Sequence, residues 1–122
     1  MSDNQLSTSI RQQGDAVIID LAGVLNALSD DTLQAAYAEA EKLDPARVVL
    51  NFTDVAYINS SGIAVIVGLL AQARMSKVDI SAFGLTEHYR HIFELTRLSD
   101  FMSILSDEES ALGNQSKSTL EK

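Results

Sequence analysis

Near the N-terminus the apolar and polar positions follow a strand-like pattern. Leu6–Arg11 and Ala16–Ala22 are β-rich stretches flanking the polar Gln12-Gln13-Gly14-Asp15, a pattern that predicts an antiparallel hairpin. In the second stretch Val17, Ile19 and Leu21 alternate with Ile18 and Asp20, so one face is expected to be buried and the other only partly so. From Ser29 the period lengthens. Leu33, Ala36, Tyr37, Ala40 and Leu43 mark an amphipathic helix, with Asp30 and Asp31 in its first turn, where the dipole favours negative charge, and Pro45 beyond its end. Val48, Val49 and Leu50 are contiguous within Arg47–Phe52, the mark of a central strand covered on both faces.

Asp54–Ile58 leads into Asn59-Ser60-Ser61-Gly62, after which Ile63, Ile66, Val67 and Leu70 repeat as a second helix ending near Arg74 and Met75. Val78–Phe83 reads as a further strand. Thr86 can cap a third helix reaching about Leu98, with His88, Ile92, Leu95 and Leu98 on one side. Phe101–Leu105 is a short last strand, and Ser106 with Glu109 three positions later forms a capping-box pattern for a short final helix. Alternating strands and helices after residue 28 specify an α/β domain with a largely parallel sheet and one antiparallel hairpin strand. That domain is expected over residues 1–112, and residues 113–122 are polar and read as a mobile tail.

Composition narrows the class. The 122 residues are 46% hydrophobic, enough for one packed core, and the absence of cysteine excludes disulfides, thiolate metal sites and a cysteine nucleophile. Met1–Gln13 lacks the apolar stretch of a secretory signal, and the run Gly62–Ala71 is half a membrane span, so a cytoplasmic protein is expected. A net charge of −8 disfavours nucleic acid and anionic membrane as partners.

The candidate chemistry is sparse. His88 and His91 lie three apart without a supporting carboxylate cluster, and none of the GxxxxGK[ST], GxGxxG or GxSxG patterns is present, so neither a metal, a cofactor nor an enzyme activity is expected. What remains is the junction at Ser60. A serine pair between a strand end and a helix start can satisfy first-turn amides as a cap, while Gly62 allows close backbone approach. A phosphate on Ser60 would be stabilised by the same amides and by the helix dipole. The helix that follows is apolar almost all round, so Ala64, Val65 and Gly68 either touch a neighbouring helix or form a docking surface.

In these pieces and their order the chain resembles the STAS family, and within it the anti-sigma-factor antagonists of bacterial partner-switching systems. The resemblance rests on the hairpin, on Leu21-Ala22-Gly23-Val24-Leu25-Asn26, on Val48-Val49-Leu50-Asn51-Phe52 and on Ile58-Asn59-Ser60-Ser61-Gly62, and spans roughly residues 5–112. It implies the STAS fold, a mixed, mostly parallel sheet of about five strands with about four helices. It also implies phosphorylation of Ser60 by a GHKL-type anti-sigma factor or switch kinase, which binds the unphosphorylated form, and reversal by a PP2C-type phosphatase. Asn26, Asn59, Ser60, Ser61, Gly62, Ile63, Ala64 and Val65 are then the expected partner-binding residues. Family members often carry Asp where Asn26 and Asn59 stand, and neither asparagine can repel an incoming phosphate. Those two changes also motivate a second reading, a STAS subunit of a stressosome or lipid-transport ATPase complex that is not phosphorylated. A small α/β enzyme or nucleotide-binding protein is a third, suggested only by the polar strand-to-helix junction.

Overall fold

The computed structural model describes residues 5–112. The N-terminal hairpin forms as the alternation predicts: β1 (Ser7–Gln13) and β2 (Ala16–Leu25) pair antiparallel, Ser7 opposite Ala22 and Gln13 opposite Ala16. Three strand–helix–strand units follow, comprising α1 (Asp30–Glu41), β3 (Arg47–Ile58), α2 (Ser60–Ser76), β4 (Asp79–Phe83), α3 (Glu87–Leu95) and β5 (Ser103–Leu105). The sheet order is β1-β2-β3-β4-β5, with every pair after the hairpin parallel.

Successive right-handed crossovers that always step to the next strand place their helices on the same face. The packing follows this. Val17, Ile19, Val48, Leu50, Ile80 and Ala82 face one core cluster shared with Leu33 and Tyr37 of α1, Ile66 and Leu69 of α2 and Phe93 of α3. The intervening Ile18, Val49 and Phe83 face the opposite way and meet Ala111 and Leu112 of a fourth helical segment at 108–112. Contiguous burial at Val48, Val49 and Leu50 thus records cover on both sides of β3. The second face also holds a polar network. Arg11 donates to both Asp20 carboxylate oxygens (2.6 and 2.9 Å) and to Glu108 (2.8 and 3.1 Å), and Asn51 donates to Asp20 (2.7 Å). Arg11 pulls the Asp20 carboxyl below its ordinary value, and Asp20 in turn raises the guanidinium.

Several boundaries differ from the sequence reading. β3 continues through Asp54–Ile58, because beyond Asn51 it leaves β4 but stays paired with β2 as far as Leu25 opposite Ile58. α1 stops at Glu41, leaving Leu43 at the surface. α3 ends at Leu95 rather than Leu98. Its buried residue is Phe93, whereas Leu95 is 68% exposed and Leu98 is buried in a separate 3-10 turn. β5 begins at Ser103 and leaves Phe101 exposed. The last helical segment is capped by Asp107, whose Oδ1 accepts from the Ser110 amide, not by Ser106. The tail expected at 113–122 lies outside the described residues.

Candidate functional site

The extra length of β2 and β3 creates the candidate site. Their paired ends run past the rest of the sheet, with register shifts at Asp20/Ala22 and Gly23/Val24, and deliver Asn26 and Asn59 from adjacent parallel strands to the same end of the molecule. This is the carboxyl end of the strands, where open α/β sheets bind their ligands. The Asn59 amide donates to the Leu25 carbonyl (3.2 Å), joining the start of α2 to the end of β2. Gly62 presses against the same carbonyl: a Cβ built on it would lie 2.2 Å from the Leu25 oxygen. Any other residue would force the two backbones apart.

Two asparagines cap the two exits. Asn59 has extended backbone, and its side-chain oxygen accepts from the Gly62 amide (2.8 Å). Asn26 accepts from the Leu28 amide (2.9 Å), while the Asn26 amide donates to Ser29 Oγ (2.9 Å), closing a reciprocal cap on the 3-10 turn Ala27–Ser29 that precedes α1. The cap of α2 is therefore Asn59, and neither serine fulfils that role. Ser60 and Ser61 are exposed in the first turn, and neither hydroxyl hydrogen-bonds to a described residue. With the Gly62 amide taken by Asn59 and the Ile63 amide by the Asn59 carbonyl (3.0 Å), the Ser60 and Ser61 amides are the first-turn donors without an intrahelical acceptor. No acidic residue stands in the first turn of α2 to offset the positive end of its dipole.

A comparison with known proteins gives this geometry a family. The STAS domain family matches residues 7–111. The chain belongs to the STAS domain family. It is similar to the anti-sigma-B factor antagonist of Listeria monocytogenes, 27% identical over 89% of this chain and 96% of the relative. Among solved structures it superposes on an anti-sigma factor antagonist from Mycobacterium paratuberculosis with TM-score 0.75 at 14% identity, covering 93% of this chain and 96% of that one. It also matches the Bacillus cell fate determinant SpoIIAA in its phosphorylated form, with TM-score 0.66 at 18% identity over 88% of this chain and 98% of that one. At these identities the two structures establish the STAS fold, a mixed five-stranded sheet with four helices.

Within the STAS fold the eight residues singled out from the sequence divide in two. Asn26, Asn59, Ser60, Ser61 and Ala64 reach the surface at the strand ends or along the outer side of α2, with Ile63 half-buried beside them. Gly62 and Val65 are buried, Gly62 against Leu25 and Val65 within the main core, so they position the surface without belonging to it. Sequence reasoning missed Leu28 and Tyr57, which stand 76% and 54% exposed at the same end of the sheet. Leu28 lies in the turn that Asn26 caps and Tyr57 on the projecting part of β3. A large apolar residue beside a capping asparagine was the available signal for Leu28. His88 and His91 are exposed on α3, and no metal-ligating group of three or more occurs among the described residues. No helix among those residues is long and apolar enough to cross a membrane.

Proposed function

We propose that this STAS chain is an anti-sigma-factor antagonist whose binding to a GHKL-type serine kinase is controlled by phosphorylation at Ser60. The exposed Ser60 hydroxyl carries the reading. It stands at the start of a 17-residue helix, beside two amides free to receive an anion, with neutral asparagines as the capping groups. A phosphate there would add a charge of about −2 to a surface displaying Leu28, Tyr57 and Ala64. Binding would then require desolvating a dianion within an apolar contact, so a partner that docks on the bare serine would be released.

The unphosphorylated chain on this reading occupies the kinase and frees its other client, and a PP2C-type phosphatase restores that state. Asn26, Asn59, Ser61, Ile63 and Ala64 frame the contact, with Gly62 and Val65 holding it in place. Titration calorimetry with the cognate kinase tests the switch. Ser60→Ala should bind like the wild type, and Ser60→Asp should bind at least tenfold more weakly, about 1.4 kcal/mol. Equal affinities for the two variants would instead indicate a STAS subunit that binds constitutively.

A further inference from the structure

We propose that the groove at the other end of α2 is a second docking site, built to take an acidic segment of a partner protein with apolar residues interspersed. The groove, about 1160 Å³, runs between the C-terminal half of α2, the amino ends of β3 and β4 and the connection from α3 to β5. Charge sets it apart. The chain carries 17 acidic against 9 basic side chains, yet five basic residues line this groove, Arg47, Arg74, Lys77, Arg90 and Arg97, against three acidic ones.

Those cations are only partly used by the fold. Arg97 pairs with Asp100 (2.7 Å) and Arg90 reaches Glu94 loosely (3.9 Å), whereas Arg74 and Lys77 have no carboxylate within ion-pair distance among the described residues. Arg74 lies over the Phe101 ring, 5.7 Å from its centroid, and Phe101 is 56% exposed. A guanidinium over an aromatic face keeps N–H donors available for a carboxylate, and the ring supplies the apolar contact next to it.

Arg47 contributes charge that the fold holds in place. It lines the groove at 7% exposure, and its Nη1 donates to Ser81 Oγ (3.2 Å) and to the Ala111 carbonyl (3.3 Å). Its buried Nε has no acceptor among the described residues. Both Nη1 acceptors belong to the sheet face opposite α2, so Arg47 adds fixed positive charge at the edge of the groove without offering it a free donor.

The dimensions favour a chain segment, since the space exceeds a typical small-molecule pocket. An anionic membrane or nucleic acid presents a long-range field that the net charge of −8 opposes, while a short peptide responds to charges within a Debye length of about 8–10 Å. Along α2 the groove begins at Val67, about 10 Å from Ser60, while its cations Arg74 and Lys77 lie about 21 and 26 Å away, so a segment held by those cations does not need to cover Ser60.

Fluorescence anisotropy on the full chain tests the proposal. The probe is a labelled peptide of about twelve residues alternating Glu with Leu and Phe, the control its Lys counterpart. The acidic peptide should bind, should weaken with added salt, and should lose at least tenfold in affinity to the exposed double variant Arg74→Glu/Arg97→Glu. Ser60→Asp should leave its binding unchanged, which separates this site from the Ser60 switch. Equal binding of both peptides, or no binding, would overturn the proposal. So would phosphatidylglycerol vesicles that bind the wild type and not the double variant, pointing to a membrane. Sedimentation showing wild-type self-association that the double variant loses would reassign the groove to a second copy.

Discussion

The two ends of α2 are built on opposite terms. At the N-terminal end the backbone is locked: Asn59 caps the helix, its amide binds Leu25, and Gly62 touches the Leu25 carbonyl, leaving no room for a Cβ. At the C-terminal end Lys77 closes the helix in the left-handed conformation (φ 62°), beside a groove walled by long, flexible cationic side chains. Short polar groups on fixed backbone suit a site where one hydroxyl must be presented in one orientation. Long side chains around open space suit a contact that adapts to its occupant.

Gly62 and Gly68 sharpen the contrast most, because they lie six positions apart on the same helix. Gly62→Ala should destabilise the fold by about 3 kcal/mol or more, since the new methyl meets backbone that cannot withdraw. Urea denaturation gives the value directly. Asn59→Ala comes next, with a loss of about 1 kcal/mol for the cap. The exposed Gly68 has nothing within 4 Å of a built Cβ, so Gly68→Ala should raise stability by about 0.5–1 kcal/mol and leave the binding of a Ser60-directed partner unchanged. A destabilising Gly68→Ala would break the comparison by showing that the outer side of α2 is also tightly packed.

Acid provides a smaller effect away from both ends. Arg11 holds the folded-state pKa of Asp20 below its unfolded value of about 3.9, so the stabilisation is complete above that value and is lost as pH falls through the folded one. The pair is partly exposed, which limits its contribution to about 1 kcal/mol or less. Wild type should therefore lose more stability than Asp20→Asn between pH 6 and the acid limit, about pH 2, in parallel urea titrations.

Much of the layout was legible because a two-residue period and a three-to-four-residue period leave different traces. The hairpin, α1, the centre of β3 and most of α2 follow from them. What could not be read depended on partners distant in sequence. β3 runs on past Phe52 only because β2 accompanies it, a pairing that the polar Thr53 and Asp54 conceal. In α3 the apolar set Ile92, Phe93 and Leu95 fits more than one helical face, and the core selects Phe93.

The same division holds at the site. Ser60, Ser61 and Gly62 stood out by type and order, but the cap fell to Asn59, one position earlier, and local pattern does not resolve a helix start to a single residue. The reason for Gly62 is the Leu25 carbonyl, 37 positions away. The basic groove left no trace either, because Arg47, Arg74, Lys77, Arg90 and Arg97 are scattered through a chain that is acidic on average.

Mass-spectrometric phosphosite mapping of the protein purified from its native host, with phosphatase activity blocked during lysis, bears most directly on the switch at the N-terminal end of α2. Phosphate on Ser60, with Ser61 bare, is the predicted result. A Ser60 that stays unmodified across growth conditions, or phosphate confined to another residue, would contradict it.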